Sequence, residues 1–229
     1  MYKPFLSDRS ALVSLALLLF SALPVFGGEF GLEVGFGTGV WGGPWSQDVR
    51  DNHDTLGMGS RRLLIPAGSA AAVWKGPELF GPVRFEVSGG LGLWSGSLGG
   101  YESGDLEQAH SILALALEAR PRLRVEFPLN KGALITEVSL GVGFMLGPLI
   151  AIDVLPGLRS VSKTPPEFLH RWMGIAGLGV GYRFTRAFSL SLRIDGGIAD
   201  FDPAPGSDPA LMGRLLVCAG YLFPMKEAL

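Results

Sequence analysis

From residue 29 onward, apolar side chains alternate along the chain with glycine, polar or charged residues. In the first such segment, Phe30, Leu32, Val34 and Phe36 share one parity, and glutamate and glycine occupy the other. Successive side chains of a strand point to opposite faces of a sheet, so this period of two predicts a strand with one apolar face. The pattern recurs in six more segments, at residues 83–93, 113–127, 134–146, 172–184, 188–198 and 211–223.

Two further segments are less regular. An eighth strand is predicted at about residues 60–74, although Pro66 interrupts it, because the chain has to cross back between the neighbouring strands. Residues 105–119 are rich in alanine and leucine and also suit a helix. The period of two continues from there through Pro121 to Phe127, which favours a strand.

The connections between these strands are alternately short and long. Short connections are predicted at residues 75–81, 128–132 and 185–187, and longer surface loops at about 42–59, 96–109, 147–169 and 201–210. Eight strands joined in this way predict an all-β fold, an eight-stranded antiparallel up-and-down transmembrane β-barrel that comprises residues 29–229 as one domain. A closed barrel pairs its own backbone groups, which is why hydrocarbon tolerates it.

The composition agrees with a membrane barrel and excludes several other classes. Apolar residues make up 48% of the chain, the net charge is −2, and 34 of 229 residues are glycine, about twice the usual share. Intrinsic disorder requires low hydrophobicity and high net charge. Nucleic-acid binding requires an excess of cations, so no nucleic-acid partner is expected.

The first 28 residues have the pattern of a cleaved signal peptide. Lys3 and Arg9 precede an apolar run at residues 11–26, and the small residues Gly27 and Gly28 follow it. The chain is therefore expected to be exported. Its only cysteine is Cys218, so no intramolecular disulfide is possible.

Two segments resemble a known family. GLGVGYRFTRAFSLSLRIDGG, from Gly177 to Gly197, resembles the late hairpins of the small outer-membrane barrels of the OmpA, OmpX and OmpW type, and RLLVCAGYLF, from Arg214 to Phe223, is similar to their closing strand. The resemblance implies an outer-membrane location with extracellular loops and periplasmic termini. It also implies that Tyr221 and Phe223 form the aromatic signal read by the barrel-assembly machinery, although six residues follow Phe223 where the family often ends.

The inward parity of the predicted barrel carries many charged residues. An interior formed by eight strands is just wide enough for its own side chains. The predicted lumen charges are Glu33, Arg84, Glu86, Glu118, Arg120, Arg122, Arg124, Glu126, Glu137, Arg171, Arg183, Arg193, Asp195 and Arg214. All the predicted cations are arginine, whose planar guanidinium suits paired contacts with carboxylates. The pattern therefore predicts a lumen that is closed by salt bridges and does not conduct ions.

Aromatic residues are expected at both membrane interfaces. Trp41, Trp45, Trp94 and Trp172 lie near the long-loop ends of the predicted strands, and Trp74, Phe127, Phe184, Phe188 and Phe223 lie near the short-turn ends. By parity, Trp94 points into the barrel and is expected to plug its mouth.

No catalytic, cofactor or metal site is predicted. His53, His110 and His170 fall near the long-loop end, but the chain lacks the His-x-Ser pair of lipid A deacylase barrels. The expected protein is a monomeric, non-enzymatic barrel that contacts outer-membrane lipid and has a structural role or binds an extracellular ligand through its loops. Three alternatives remain open: an OmpW-like channel for small hydrophobic molecules, a lipid-modifying enzyme, and a soluble lipid-binding barrel whose apolar parity faces inward.

Overall fold

The computed structural model describes residues 28–42, 65–103, 106–147, 149–155, 158–164, 171–199 and 209–223. These residues form ten strands: β1 Glu29–Gly42, β2 Ile65–Phe80, β3 Val83–Ser103, β4 Leu106–Leu129, β5 Gly132–Met145, β6 Leu149–Leu155, β7 Leu158–Thr164, β8 Trp172–Arg183, β9 Phe188–Ala199 and β10 Ala210–Leu222. The described part of the chain contains no helix long and apolar enough to cross a membrane. The predicted signal peptide, apart from Gly28, and nearly all of the predicted loops 42–59 and 201–210 lie outside the described residues.

Eight of the strands close into a barrel. The pairs β1–β2, β2–β3, β3–β4, β4–β5, β5–β8, β8–β9 and β9–β10 are all antiparallel. β10 pairs back with β1 in an unbroken register from Gly31↔Leu222 to Gly42↔Leu211, so the ring has no free edge. This closure confirms the predicted eight-stranded antiparallel up-and-down barrel.

The apolar parity of the barrel strands faces outward, except in β2, where Val73 and Trp74 on opposite parities are both buried. In β1, Leu32, Val34 and Phe36 are 53%, 58% and 70% exposed, whereas Glu33 between them is 7% exposed. Exposed apolar residues alternate with buried ones in the same way along β5, β8, β9 and β10. A soluble lipid-binding barrel would require the opposite orientation, so that alternative is wrong.

The sheet extends beyond the barrel at its long-loop end. β3 and β4 stay paired up to Ser103↔Leu106, and β6 and β7 form a hairpin that adds to β4 through pairs such as His110↔Asp153. Much of the two regions predicted as loops, 96–109 and 147–169, is therefore strand. The segment at residues 105–119, where a helix was the competing prediction, is also strand from Leu106 onward.

Two prolines distort the barrel wall. The β4–β5 ladder runs through Ala119↔Val142 and resumes at Arg122↔Ser139, because Pro121 has no N–H to donate to β5. In β2, the register with β3 shifts on both sides of Glu78, next to Pro77. β2 nevertheless continues to Phe80, so the predicted connection at residues 75–81 shrinks to the turn Gly81–Pro82, where Gly81 has a φ of 52°.

Candidate functional site: the charged lumen

The lumen contains equal numbers of buried positive and negative side chains. Among the described residues, six cations and six carboxylates are buried: Lys75, Arg120, Arg122, Arg124, Arg193 and Arg214, and Glu33, Glu86, Glu118, Glu126, Glu137 and Asp195. Charges removed from water are costly unless they are paired and hydrogen-bonded. Because buried cations and carboxylates are equal in number, the charges inside the barrel can be paired.

β4 is the centre of this network. Five of its inward side chains are charged, each two residues from the next: Glu118, Arg120, Arg122, Arg124 and Glu126. Together they form ion pairs with one residue from each of the seven other barrel strands: Glu33, Lys75, Glu86, Glu137, Arg183, Asp195 and Arg214. A single strand is thereby connected across the lumen to the whole wall.

The middle of the lumen is organised around Glu33 of β1. Arg122 holds both carboxylate oxygens of Glu33 through its two terminal nitrogens, at 2.8 and 3.0 Å. Arg122 Nε also donates to Ser88 Oγ at 3.1 Å, and Arg193 forms a second ion pair with Glu33. A bidentate contact of this kind fixes the orientation of both side chains as well as their distance.

Nearer the long-loop end, Glu118 joins three partners. Its carboxylate lies 2.8 Å from Arg214 Nη2 and 2.6 Å from Arg120 Nη2, and it accepts a 2.6 Å hydrogen bond from Trp94 Nε1. The guanidinium of Arg214 lies 4.1 Å from the centre of the Trp94 ring. The Trp94 indole therefore donates a hydrogen bond to the Glu118 carboxylate and presents its π face to the Arg214 guanidinium.

Asp195 of β9 joins this upper group to the middle group. Its carboxylate is 2.9 Å from Arg120 Nη1, 2.8 Å from Arg214 Nε and 3.2 Å from Arg193 Nε. One buried carboxylate is thus shared by arginines of β4, β9 and β10. The upper and middle groups therefore form one network instead of a set of isolated pairs.

A third group lies at the short-turn end, around Glu126. Lys75 Nζ lies 2.8 Å from Glu126 Oε1, and Arg183 Nη2 lies 2.9 Å from Oε2 of the same carboxylate. Arg124 contacts both Glu126, at 3.1 Å, and Glu86, at 3.4 Å. Lys75 was missing from the predicted set and shows that the expectation of arginine alone was wrong. The sequence prediction ended the strand at residue 74, whereas β2 carries Lys75 into the lumen.

Above the charges, the long-loop end of the lumen is closed by apolar side chains. This cluster, here called the apolar cap, contains Trp41, Trp94, Ile112, Ala114, Ala116, Met145, Met173, Ile175, Ala199, Ala210 and Met212. Trp94 points inward and is 1% exposed, as its parity predicted. Trp41 is only 2% exposed, so it belongs to the cap and not to an interfacial belt.

Two of the predicted lumen charges lie outside the buried network. Arg84 pairs with Glu78 near the β2–β3 turn, where the two side chains are 27% and 58% exposed. Arg171 precedes β8, and its guanidinium lies 5.6 Å from the ring centre of the outward-facing Phe144. Both residues lie at strand ends, where parity no longer determines whether a long side chain turns inward.

A small cavity lies between some of these side chains. Its volume is about 10 Å³, and it lies beside Glu33, Arg120, Arg122 and Arg193, where the small residues Ser88 and Gly90 of β3 leave room. Such a volume holds about one water molecule. The cavity is far too small to be an aqueous channel.

The remaining predicted site residues are placed as follows. Tyr221 and Phe223 are each 46% exposed on the outer face, with ring centres 5.6 Å apart. His53 and His170 lie outside the described residues. In the part of the chain that the structure describes, no three His, Cys, Asp or Glu side chains form a group that could hold a metal ion.

Comparison with known proteins gives similarity of fold only. No protein-family model matches the chain, and no curated protein matches it either. The crystal structure of Ail, the attachment invasion locus protein of Yersinia pestis, is 14% identical and has a TM-score of 0.41, with 86% of this chain and 99% of that chain covered. Neisserial surface protein A is 10% identical and has a TM-score of 0.43, with 85% and 97% covered. The assignment of the fold rests on the strand pairing itself.

Proposed function

We propose that this protein is an integral outer-membrane barrel with a sealed lumen, whose role is structural or lies in contacts made at the cell surface. The observation that carries the proposal is the combination of an apolar outer face with a lumen filled by paired charges. In this arrangement the barrel is a rigid support, and any specificity belongs to the segments at its long-loop end.

Insertion into lipid is supported by the outer surface. Thirty-one large apolar side chains are exposed on the described residues. Soluble monomers rarely expose continuous apolar patches larger than a few hundred Å². A tilted strand needs about 9–11 residues to cross a bilayer, and the shortest barrel strands, β8 and β9, have 12.

Closure of the lumen is supported by its packing. An ion that crosses the barrel would have to separate Glu33 from Arg122 or Glu118 from Arg214, and would then meet the apolar cap. Removing one partner from a buried ion pair costs about 3–5 kcal/mol, which indicates how strongly such pairs resist separation. The proposed protein is therefore not a porin.

A surface role is supported by the sheet that extends beyond the barrel through β3, β4, β6 and β7. In the proposed orientation this end is extracellular, and the termini and short turns are periplasmic. The protein reaches the outer membrane after signal cleavage, is inserted by the barrel-assembly machinery that reads Tyr221 and Phe223, and acts as a monomer.

Reconstitution tests the proposal. The mature protein, refolded in lipid vesicles, should migrate differently on gels with and without boiling and should resist protease in its barrel strands. In planar bilayers it should show no conductance comparable to that of open porins. Protein that is soluble without detergent would contradict membrane insertion, and stable porin-sized openings would contradict the sealed lumen.

A channel for small hydrophobic molecules is the second candidate, because the apolar cap offers such molecules a compatible surface. The charges beneath it would force any route to leave the barrel sideways. If the barrel is sealed and has no such sideways route, vesicles containing the protein should take up a small aromatic hydrocarbon no faster than empty vesicles. Faster uptake that the substitution Met173→Arg abolishes would favour the channel.

A further inference from the structure

We propose that two neighbouring turns at the short-turn end, Asn130–Lys131 and Phe184–Ala187, form a binding surface for the phosphate headgroups of anionic glycerophospholipids. The inference rests on the proposed membrane insertion and adds to it a lipid class and a position on the barrel rim. Lys131 and Arg186 are its two cations.

The fold brings these turns together. β5 pairs with β8 through Ala133↔Arg183, directly beside both turns. The two backbones approach so closely that a Cβ added to Gly132 would overlap the carbonyl oxygen of Arg183 and would lie 2.7 Å from the Tyr182 hydroxyl. Lys131 and Arg186, one residue and three residues from this contact, therefore project from one sector of the rim.

Within the part of the chain that the structure describes, the charge of this sector is positive and is not compensated by acidic side chains. Lys131 and Arg186 are exposed, and neither has an ion-pair partner among the described residues. The acidic residues within 125–140 and 180–192 are Glu126 and Glu137, which are buried in the lumen. The β2–β3 turn differs, because there the partly exposed cation Arg84 is paired with Glu78.

Aromatic side chains place the sector at the depth of lipid headgroups. The rings of Tyr182 and Phe184 are 4.9 Å apart, and those of Phe184 and Phe188 are 5.9 Å apart. Phe184 and Phe188 are 49% and 38% exposed on the outer face. Aromatic residues of membrane proteins concentrate at the interface between hydrocarbon and water. Cations on the adjoining turns then lie within a Debye length of the phosphates.

Local lipid composition can be measured with a fluorophore on the turn. An Asn130→Cys variant labelled with a fluorophore is reconstituted in vesicles that contain phosphatidylglycerol and phosphatidylcholine, one of which carries a nitroxide quencher near the top of an acyl chain. The native Cys218 is 1% exposed and should not react in the folded barrel. A Leu79→Cys variant places the same probe beside the β2–β3 turn as the matched control.

Labelled phosphatidylglycerol should quench the probe at position 130 more strongly than labelled phosphatidylcholine, and the two lipids should quench the probe at position 79 similarly. A cation near the surface contributes about a five-fold preference for an anionic lipid, so Lys131→Gln and Arg186→Gln should each reduce the preference by about that factor. Arg84→Gln should leave it unchanged, and 1 M salt should remove it because the Debye length falls to about 3 Å.

Equal quenching by the two lipids at position 130, or a preference that persists in the Lys131→Gln, Arg186→Gln double variant, would overturn this inference. If the double variant folds poorly, the salt titration tests the same electrostatic preference on a chain without charge substitutions, and a preference that survives 1 M salt would also overturn it. Failure of the chain to insert at all would instead contradict the proposed function, and gel migration of the same samples reports that separately.

Discussion

The substitution Arg122→Met tests how much of the barrel's stability depends on the lumen network. It removes both contacts to Glu33, at 2.8 and 3.0 Å, and the contact to Ser88 at 3.1 Å. Glu33 keeps Arg193, but Glu137 loses its one ion pair among the described residues, at 3.7 Å from Arg122. Since removing one partner leaves an uncompensated buried charge, the free energy of unfolding should fall by about 3–5 kcal/mol.

The matched control is Arg84→Met, which removes a cation of the same type from an exposed pair with Glu78. Exposed ion pairs contribute about 0–1 kcal/mol, so this variant should remain close to the parent protein. Both variants would be unfolded by urea in lipid vesicles and followed by tryptophan fluorescence and gel migration. The measured quantity is the difference in unfolding free energy between the two.

A second substitution tests whether the unpaired carboxylate of Glu137 causes the loss of stability. Adding Glu137→Gln to Arg122→Met removes the carboxylate that the first change left without a cation, so the double variant should regain about 1–3 kcal/mol. Glu137→Gln alone should cost little, because Arg122 keeps its bidentate contact with Glu33. If Arg122→Met cost no more than Arg84→Met, or if the second change added to the loss, an uncompensated buried charge would not be the cause of the lost stability.

Three other variants test local contacts. Gly39→Ala should prevent folding because its Cβ would overlap a backbone oxygen of β3, whereas Gly196→Ala, whose nearest contact would be at 4.0 Å, should fold with the parent's gel migration. Trp94→Phe keeps an aromatic face for the adjacent guanidinium but loses the 2.6 Å hydrogen bond to Glu118, so urea unfolding should show a loss of about 1–3 kcal/mol. Cys218 is 1% exposed and should react with a maleimide only after unfolding, so labelling of the folded barrel would contradict its position.

The alternation of side chains determined most of what could be predicted about the barrel wall. A period of two is a local property, so it identifies the outward face of β1 from Leu32, Val34 and Phe36 without knowledge of any partner strand. The period of two no longer identifies the outward face where residues of both parities are apolar. Phe144 and Met145 at the end of β5, like Trp172 and Met173 at the start of β8, give no local signal for facing. Apart from Trp94, the apolar cap was missed for this reason.

The partners inside the lumen could not be predicted from sequence. That Glu33 is inward follows from its parity, but its bidentate contact with Arg122, 89 positions away, depends on the tilt and stagger of the strands around the closed ring. Lys75 was missed for a different reason. Gly76 and Pro77 resemble the start of a turn, whereas the structure accommodates them as a distortion of β2 and keeps Lys75 on the inward face.

A gain in stability does not by itself explain why the lumen is charged. Replacing buried ion pairs with apolar residues of similar size is often neutral or stabilising. In a barrel surrounded by lipid, however, an apolar lumen would give each strand two apolar faces, and a slip by one residue would then cost little. Charged residues at every second position of β4 remove that ambiguity, because a slip would put five of them into hydrocarbon. Their pairing with all seven other barrel strands extends the same constraint around the ring, so we infer that the network specifies facing and register more than it adds stability.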